Sequence, residues 1–156
     1  MSRKKTEKNR LTELDETTCR QLLASRDMGR VAVNAKPSPE VLPVTYAVRD
    51  GDVYFQTAGG VKWDAVQRGL AATFEVDGIN PDRRSAWSVV VRGRLEVADD
   101  ADIEDLPKPL PGGVSPHLAR LIVQGISGRR IPAEKGLEWA GTGHIWKGKD
   151  ASDLMG

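Results

Sequence analysis

Thr57, Gly59, Gly60 and Lys62 stand close together in the stretch QTAGGVKWDAVQRG, from Gln56 to Gly69, and their types point to anion binding. A strand-like run, Val53-Tyr54-Phe55, leads in, and a helix-like run from Lys62 to Arg68 follows, which Gly69 is suited to stop. The paired glycines therefore fall where a strand becomes a helix. There the first helical N–H groups lack internal partners and the helix dipole adds partial positive charge. Glycine lets an anion approach the backbone, Thr57 offers a hydroxyl and Lys62 a full charge, so a phosphate is the natural guest. The plainer alternative is a turn followed by a solvated lysine. The spacing matches neither the nucleotide-triphosphate loop nor the three-glycine dinucleotide fingerprint.

Other reactive side chains are sparse. Cys19 is the single cysteine, which excludes an intramolecular disulfide and a multi-cysteine metal site and fits a reducing cytosol. Without a histidine nearby in sequence to activate it, Cys19 reads as a small core residue. His117 and His144 are the only histidines, too few for a histidine-rich metal centre, so no metal is expected. Charge is nearly balanced, 23 basic against 22 acidic residues, and draws the chain toward neither nucleic acid nor membrane. No apolar run has the length of a membrane span and no signal-peptide core precedes the domain, so the expectation is a cytoplasmic protein.

The elements that position the bend follow from alternation and punctuation. Residues 1–10 read as a basic, solvated tail, 11–132 as one domain, and 133–156 as a tail of uncertain order with Trp139 and Trp146 as its only anchors. Asp15 or Thr17 caps a helix within Leu14 to Arg26, whose Cys19, Leu22 and Leu23 recur at helical spacing. Strands are expected over Gly29–Asn34, Val41–Val48, Val53–Thr57, Leu70–Asp77 and Trp87–Val97. Asp50-Gly51 is the strongest hairpin turn, Pro43 marks an edge or bulge, and Gly93 a bulge or bend. Gly78 and Pro81 close the strand before them. Residues 99–116 form a connection with at most a short helix, His117–Ile122 resumes an apolar rhythm, and Gly125–Ile131 is a last strand. This spacing favours a mainly β fold, a small closed barrel with a few short helices, over a parallel sheet.

The order of Pro43-Val44-Thr45-Tyr46, the Asp50-Gly51 hairpin, Phe55-Gln56-Thr57, the glycine turn with Lys62, Phe74-Glu75-Val76-Asp77, and Trp87-Ser88-Val89 through Gly93 resembles the pyridoxamine 5′-phosphate oxidase-like, FMN-binding split-barrel superfamily. Gly29-Arg30-Val31-Ala32-Val33 and Ser127-Gly128-Arg129-Arg130 are similar to segments of its small actinobacterial members. The resemblance implies an antiparallel six-stranded barrel of Greek-key type and a homodimer holding two flavins between subunits. It further implies that Val44, Thr45 and Tyr46 lie along the flavin ring, through backbone as much as side chains. Gln56 and Thr57 would touch the ribityl chain or phosphate, Gly60 and Lys62 would hold the phosphate, and Ser88 would reach across from the partner. Arg129 and Arg130 would close the cleft. In pyridoxamine phosphate oxidases an Arg-Lys pair holds the phosphate; here Val61 precedes Lys62, and their carboxy-terminal substrate segment has no counterpart.

The implied activity is that of an FMN-dependent oxidoreductase passing hydride to a small organic acceptor or oxygen, with NADPH as electron donor. A deazaflavin coenzyme or haem is the alternative cofactor, carried without turnover, with His117 or His144 as the haem ligand. Tyr46 and Glu75 are the candidate proton donors, and no catalytic residue is named.

Overall fold

The computed structural model describes residues 11–80, 85–99 and 117–131. The expected basic tail, the connection over 100–116, and the 133–156 tail with His144, Trp139 and Trp146 lie outside these residues. In chain order the elements are β1 (Thr12–Leu14), α1 (Glu16–Ala24), β2 (Met28–Val33), β3 (Glu40–Arg49), β4 (Asp52–Thr57), α2 (Val61–Gln67), β5 (Ala71–Asn80), β6 (Ser85–Val97) and β7 (His117–Ile131). Local chemistry accounts for several boundaries. The Asp15 carboxylate accepts from the Thr18 N–H at 2.7 Å and starts α1. Asp50 and Gly51, with φ of 49° and 82°, link Arg49 to its partner Asp52 in a tight hairpin between β3 and β4.

The strands pair antiparallel in the order β1-β7-β4-β3-β2-β5-β6, and β6 also pairs with β7. That last pairing closes a six-stranded barrel, with β1 an added strand beside the far end of β7. β2, β3 and β4 follow one another, and β5 returns to lie beside β2, which is a Greek key. The return passes through α2, so the glycine bend sits on the crossover. The Leu95 N–H donates to the Leu70 carbonyl at 2.9 Å, tying the exit of α2 to β6.

Alternate residues fill the barrel: Val31 and Val33, Val44 and Tyr46, Val53 and Phe55, Phe74 and Val76, Val89 and Val91 are all buried. Tyr46 meets Phe74 edge-on, ring centroids 4.7 Å apart. At Gly93 the register of β6 against β7 shifts, since Arg92 pairs with Gly125 while Gly93 pairs with Val123. Gln124 is thus the extra residue of a bulge on β7. A Cβ on Gly93 would lie 1.9 Å from the Ile122 carbonyl oxygen, so only glycine lets the backbones approach there.

Three expectations are corrected. β5 does not close at Gly78 but runs to Asn80, because β6 continues beside it and pairs Gly78 with Trp87. His117–Ile122 and Gly125–Ile131 are one strand, kept continuous through its glycines by pairing with β6 on both sides of the bulge. β1 adds a strand that its three residues were too short to announce. Pro43 occupies the half of β3 that pairs only with β2, since pairing with β4 begins at Tyr46, so its missing donor faces no neighbouring strand.

Candidate functional site

The bend after β4 is built as its glycines require. Gly59 and Gly60 both take left-handed φ angles, 137° and 74°, which side chains resist. Nothing lies within 4 Å of where a Cβ would stand on either residue, so the space before the bend is open. Thr57 is buried beneath it, with its hydroxyl 3.4 Å from the Gly59 carbonyl and 3.5 Å from the Gly59 N–H, long contacts that aim it at the bend's own backbone. The Gly60 carbonyl accepts from the Asp64 N–H at 3.0 Å and opens α2.

α2 has seven residues, so its dipole is slight and Lys62 must carry the positive charge of the site. Lys62 is half-buried, and burial pushes its ammonium below the usual lysine value. Among the described residues it has no ion-pair partner. A desolvated cation without a carboxylate is stabilised by whatever anion comes to it.

Next to Lys62, Trp63 stacks on His117, ring centroids 4.1 Å apart and planes 5° from parallel. His117 in turn is the strand partner of Thr57. The stack therefore braces α2 against the first residue of β7, just under the bend. Sequence reasoning missed it because only the β4–β7 register brings the two rings together. On the other side of Gly60 a cleft of about 640 Å³ runs between α2 and the connection after β2.

The other expected residues divide by face. Val44 and Tyr46 point into the barrel. The Tyr46 hydroxyl donates to the Leu23 carbonyl, and burial raises its pKa, so its side chain is a core strut between β3 and α1. Glu75 is also engaged: its carboxylate accepts from Arg30 Nε at 2.9 Å, with Asp77 3.2 Å from the same guanidinium. Thr45 and Gln56 lie one step beyond the Tyr46–Phe55 pair, half-buried on the outer wall. The structure thus gathers Thr45, Gln56, Thr57, Gly60 and Lys62 at one end of β4.

Ser88 is elsewhere. It pairs with Asp77 and with Arg129, twelve residues along β7 from His117. At about 3.3 Å per residue that is roughly 40 Å of strand. One subunit does not place Ser88, Arg129 or Arg130 beside Lys62. Among the described residues no cluster of His, Cys, Asp and Glu could hold a metal, and no helix is long and apolar enough to cross a membrane.

Comparison with known proteins agrees with this architecture. An uncharacterized protein of Mycobacterium tuberculosis is 36% identical over 99 residues, 60% of this chain and 65% of that relative, just under two thirds of its length. The solved FAD-binding protein from Mycobacterium smegmatis aligns with TM-score 0.61 and 28% identity over 78% of this chain and 99% of its own. A Corynebacterium glutamicum protein, provisionally named a pyridoxamine 5′-phosphate oxidase, aligns with TM-score 0.64 and 27% identity over 80% of this chain and 96% of its own. The profile described as pyridoxamine 5′-phosphate oxidase matches residues 15–112, more than half of the sequence, and the chain belongs to that family.

Proposed function

We propose that this chain binds a flavin nucleotide with its phosphate on the Gly59–Gly60 bend and Lys62, and serves as a flavin-dependent oxidoreductase. The observation that carries the reading is Lys62 itself: half-buried, without a carboxylate among the described residues, beside an open glycine bend. Family membership supports it, as does the likeness to the Mycobacterium smegmatis FAD-binding protein.

The residues present fit the group. Lys62 neutralises the phosphate, and the glycines admit it to the backbone. Thr57 holds the bend from below, leaving the loop little to reorganise when a ligand arrives. Thr45 and Gln56, on the outer wall, orient the ribityl chain and ring, while the side chains of Val44 and Tyr46 stay in the core behind them. A bound flavin supplies hydride and electron transfer. With Tyr46 and Glu75 both engaged in the fold, orientation and exclusion of water are the tasks left to the protein.

The outer-wall position means that a second surface must cover the ring. A second copy is the cover in this reading: with about 40 Å of strand between them, Ser88 and Lys62 meet at one flavin only across a homodimer. Reducing equivalents from NADPH then pass to a small organic acceptor or oxygen. Lys62→Ala is expected to weaken flavin binding by about 1–3 kcal/mol, the scale of a lost charge-assisted hydrogen bond. Titration of the purified protein with FMN reads this directly, and an unchanged dissociation constant would place the phosphate elsewhere.

A further inference from the structure

The cleft of about 640 Å³ beside Gly60 is left over by the flavin site just described, since neither Thr57 nor Lys62 lines it. Its size is that of a cavity for a small organic ligand, about 300–1,000 Å³. Its lining is mixed in an informative way. Lys36, from the connection after β2, and Arg68, at the end of α2, bring a cation to each wall. Lys36 has no ion-pair partner among the described residues. Arg68 is held by one contact of 3.4 Å to Asp64, with both side chains 64% exposed, a pair weak enough to exchange for a better anion.

Glu40 and Asp64 add carboxylate acceptors to the same walls, and Val61 and Leu70 add apolar surface. Val61 is 39% exposed, so its side chain is open to a ligand in the cleft. A bare phosphate has no use for carboxylates or for apolar surface. An apolar ligand has no use for the cations. A nucleoside phosphate uses all three: cations take the phosphate, carboxylates accept from ribose hydroxyls, and a base lies on the aliphatic side chains.

The cleft also meets the bend at Gly60 and Val61, so it begins at the residue that receives the flavin phosphate in this reading. We propose that this cleft is an adenylate subsite, which takes the adenosine 5′-phosphate half of FAD and makes FAD the preferred flavin over FMN. The proposal rests on the flavin reading above for its source of adenylate, and on the cleft alone for its chemistry.

The test is calorimetric titration of the cofactor-free protein with FMN, FAD, AMP and NADPH. FAD is expected to bind at least about tenfold more tightly than FMN, the contribution of one or two further phosphate contacts. The double variant Lys36→Ala/Arg68→Ala should bring FAD down to the FMN value and leave FMN where it was, and AMP should compete with FAD. Equal affinity for the two flavins, or a loss that strikes both alike in the double variant, overturns the proposal. AMP displaced by NADPH but not by FAD overturns the assignment to FAD. If a folded protein binds neither flavin, the flavin reading falls, and AMP then decides the cleft: binding abolished in the double variant keeps it an adenylate site, and no AMP binding ends it.

Discussion

The imidazole of His117 lies flat on the indole of Trp63, 4.1 Å between centroids, and through that contact the first residue of β7 holds the helix that bears Lys62. Aromatic pairs of this kind contribute about 0.5–1.5 kcal/mol beyond their burial. His117→Ala is therefore expected to lower stability by about 1 kcal/mol, and His117→Phe to recover most of it. Urea unfolding of the two variants makes the comparison. Equal losses would show that the ring stack is not what His117 contributes, and a Soret band lost in both would return it to the role of haem ligand.

Lys62 gives the site a pH signature. Burial lowers its pKa in the folded chain, so the charged form is penalised there relative to the unfolded chain. The unfolded state then holds more protons between the two values. Stability rises with pH across that interval, from the lowered value up to the ordinary 10.5, and is level below it. Phosphate binding has the opposite slope, because it needs the ammonium. The ratio of FMN to riboflavin affinity is expected to fall from neutral to alkaline pH as Lys62 loses its proton, and to be flat in Lys62→Ala. A falling ratio in the variant would assign the titration to another group.

Tyr46→Phe separates core from site. It removes the hydroxyl that satisfies the buried Leu23 carbonyl, a loss of about 1–2 kcal/mol. Flavin affinity and turnover should be unaltered, since the ring stays between β3 and α1. A variant of full stability but impaired turnover would restore Tyr46 as a proton donor.

Two glycine substitutions should differ in kind. In Gly93→Ala the new methyl meets the Ile122 carbonyl oxygen, which cannot step aside without breaking the β6–β7 ladder, and a loss of at least about 3 kcal/mol is expected. In Gly60→Ala the methyl meets nothing, and the cost is the backbone itself, whose φ of 74° and ψ of −153° fall in a region held almost only by glycine, about 1–3 kcal/mol. Thermal unfolding should rank them in that order, while flavin titration should single out Gly60. Equal thermal shifts would mean that the bulge at Gln124 adapts.

Much of the fold was legible in residues that act locally. Asp15 caps its helix and Asp50-Gly51 turns its hairpin as their side chains and backbones dictate. The positions that misled are those where a neighbouring strand overrides a local signal. Gly78 reads as a stop until Trp87 is laid beside it, and Gly125 and Gly128 read as breaks until β6 supplies a full ladder. The bend was visible as two glycines and a lysine. That Lys62 has no carboxylate partner among the described residues, that Tyr46 is tied to Leu23, and that Ser88 on β6 pairs with the far end of β7 depend on register, which a single sequence does not carry.

β7 pairs with β4 along its first residues and with β6 along nearly all of its length. During synthesis, therefore, a ribosome that has made everything before His117 has made a sheet with two raw edges and no barrel. Such a nascent chain offers β4 and β6 to any passing strand, and only the emergence of β7 withdraws both invitations at once. A chain cut short ahead of His117 is expected to be recovered as aggregate, whatever its content of correct hairpins.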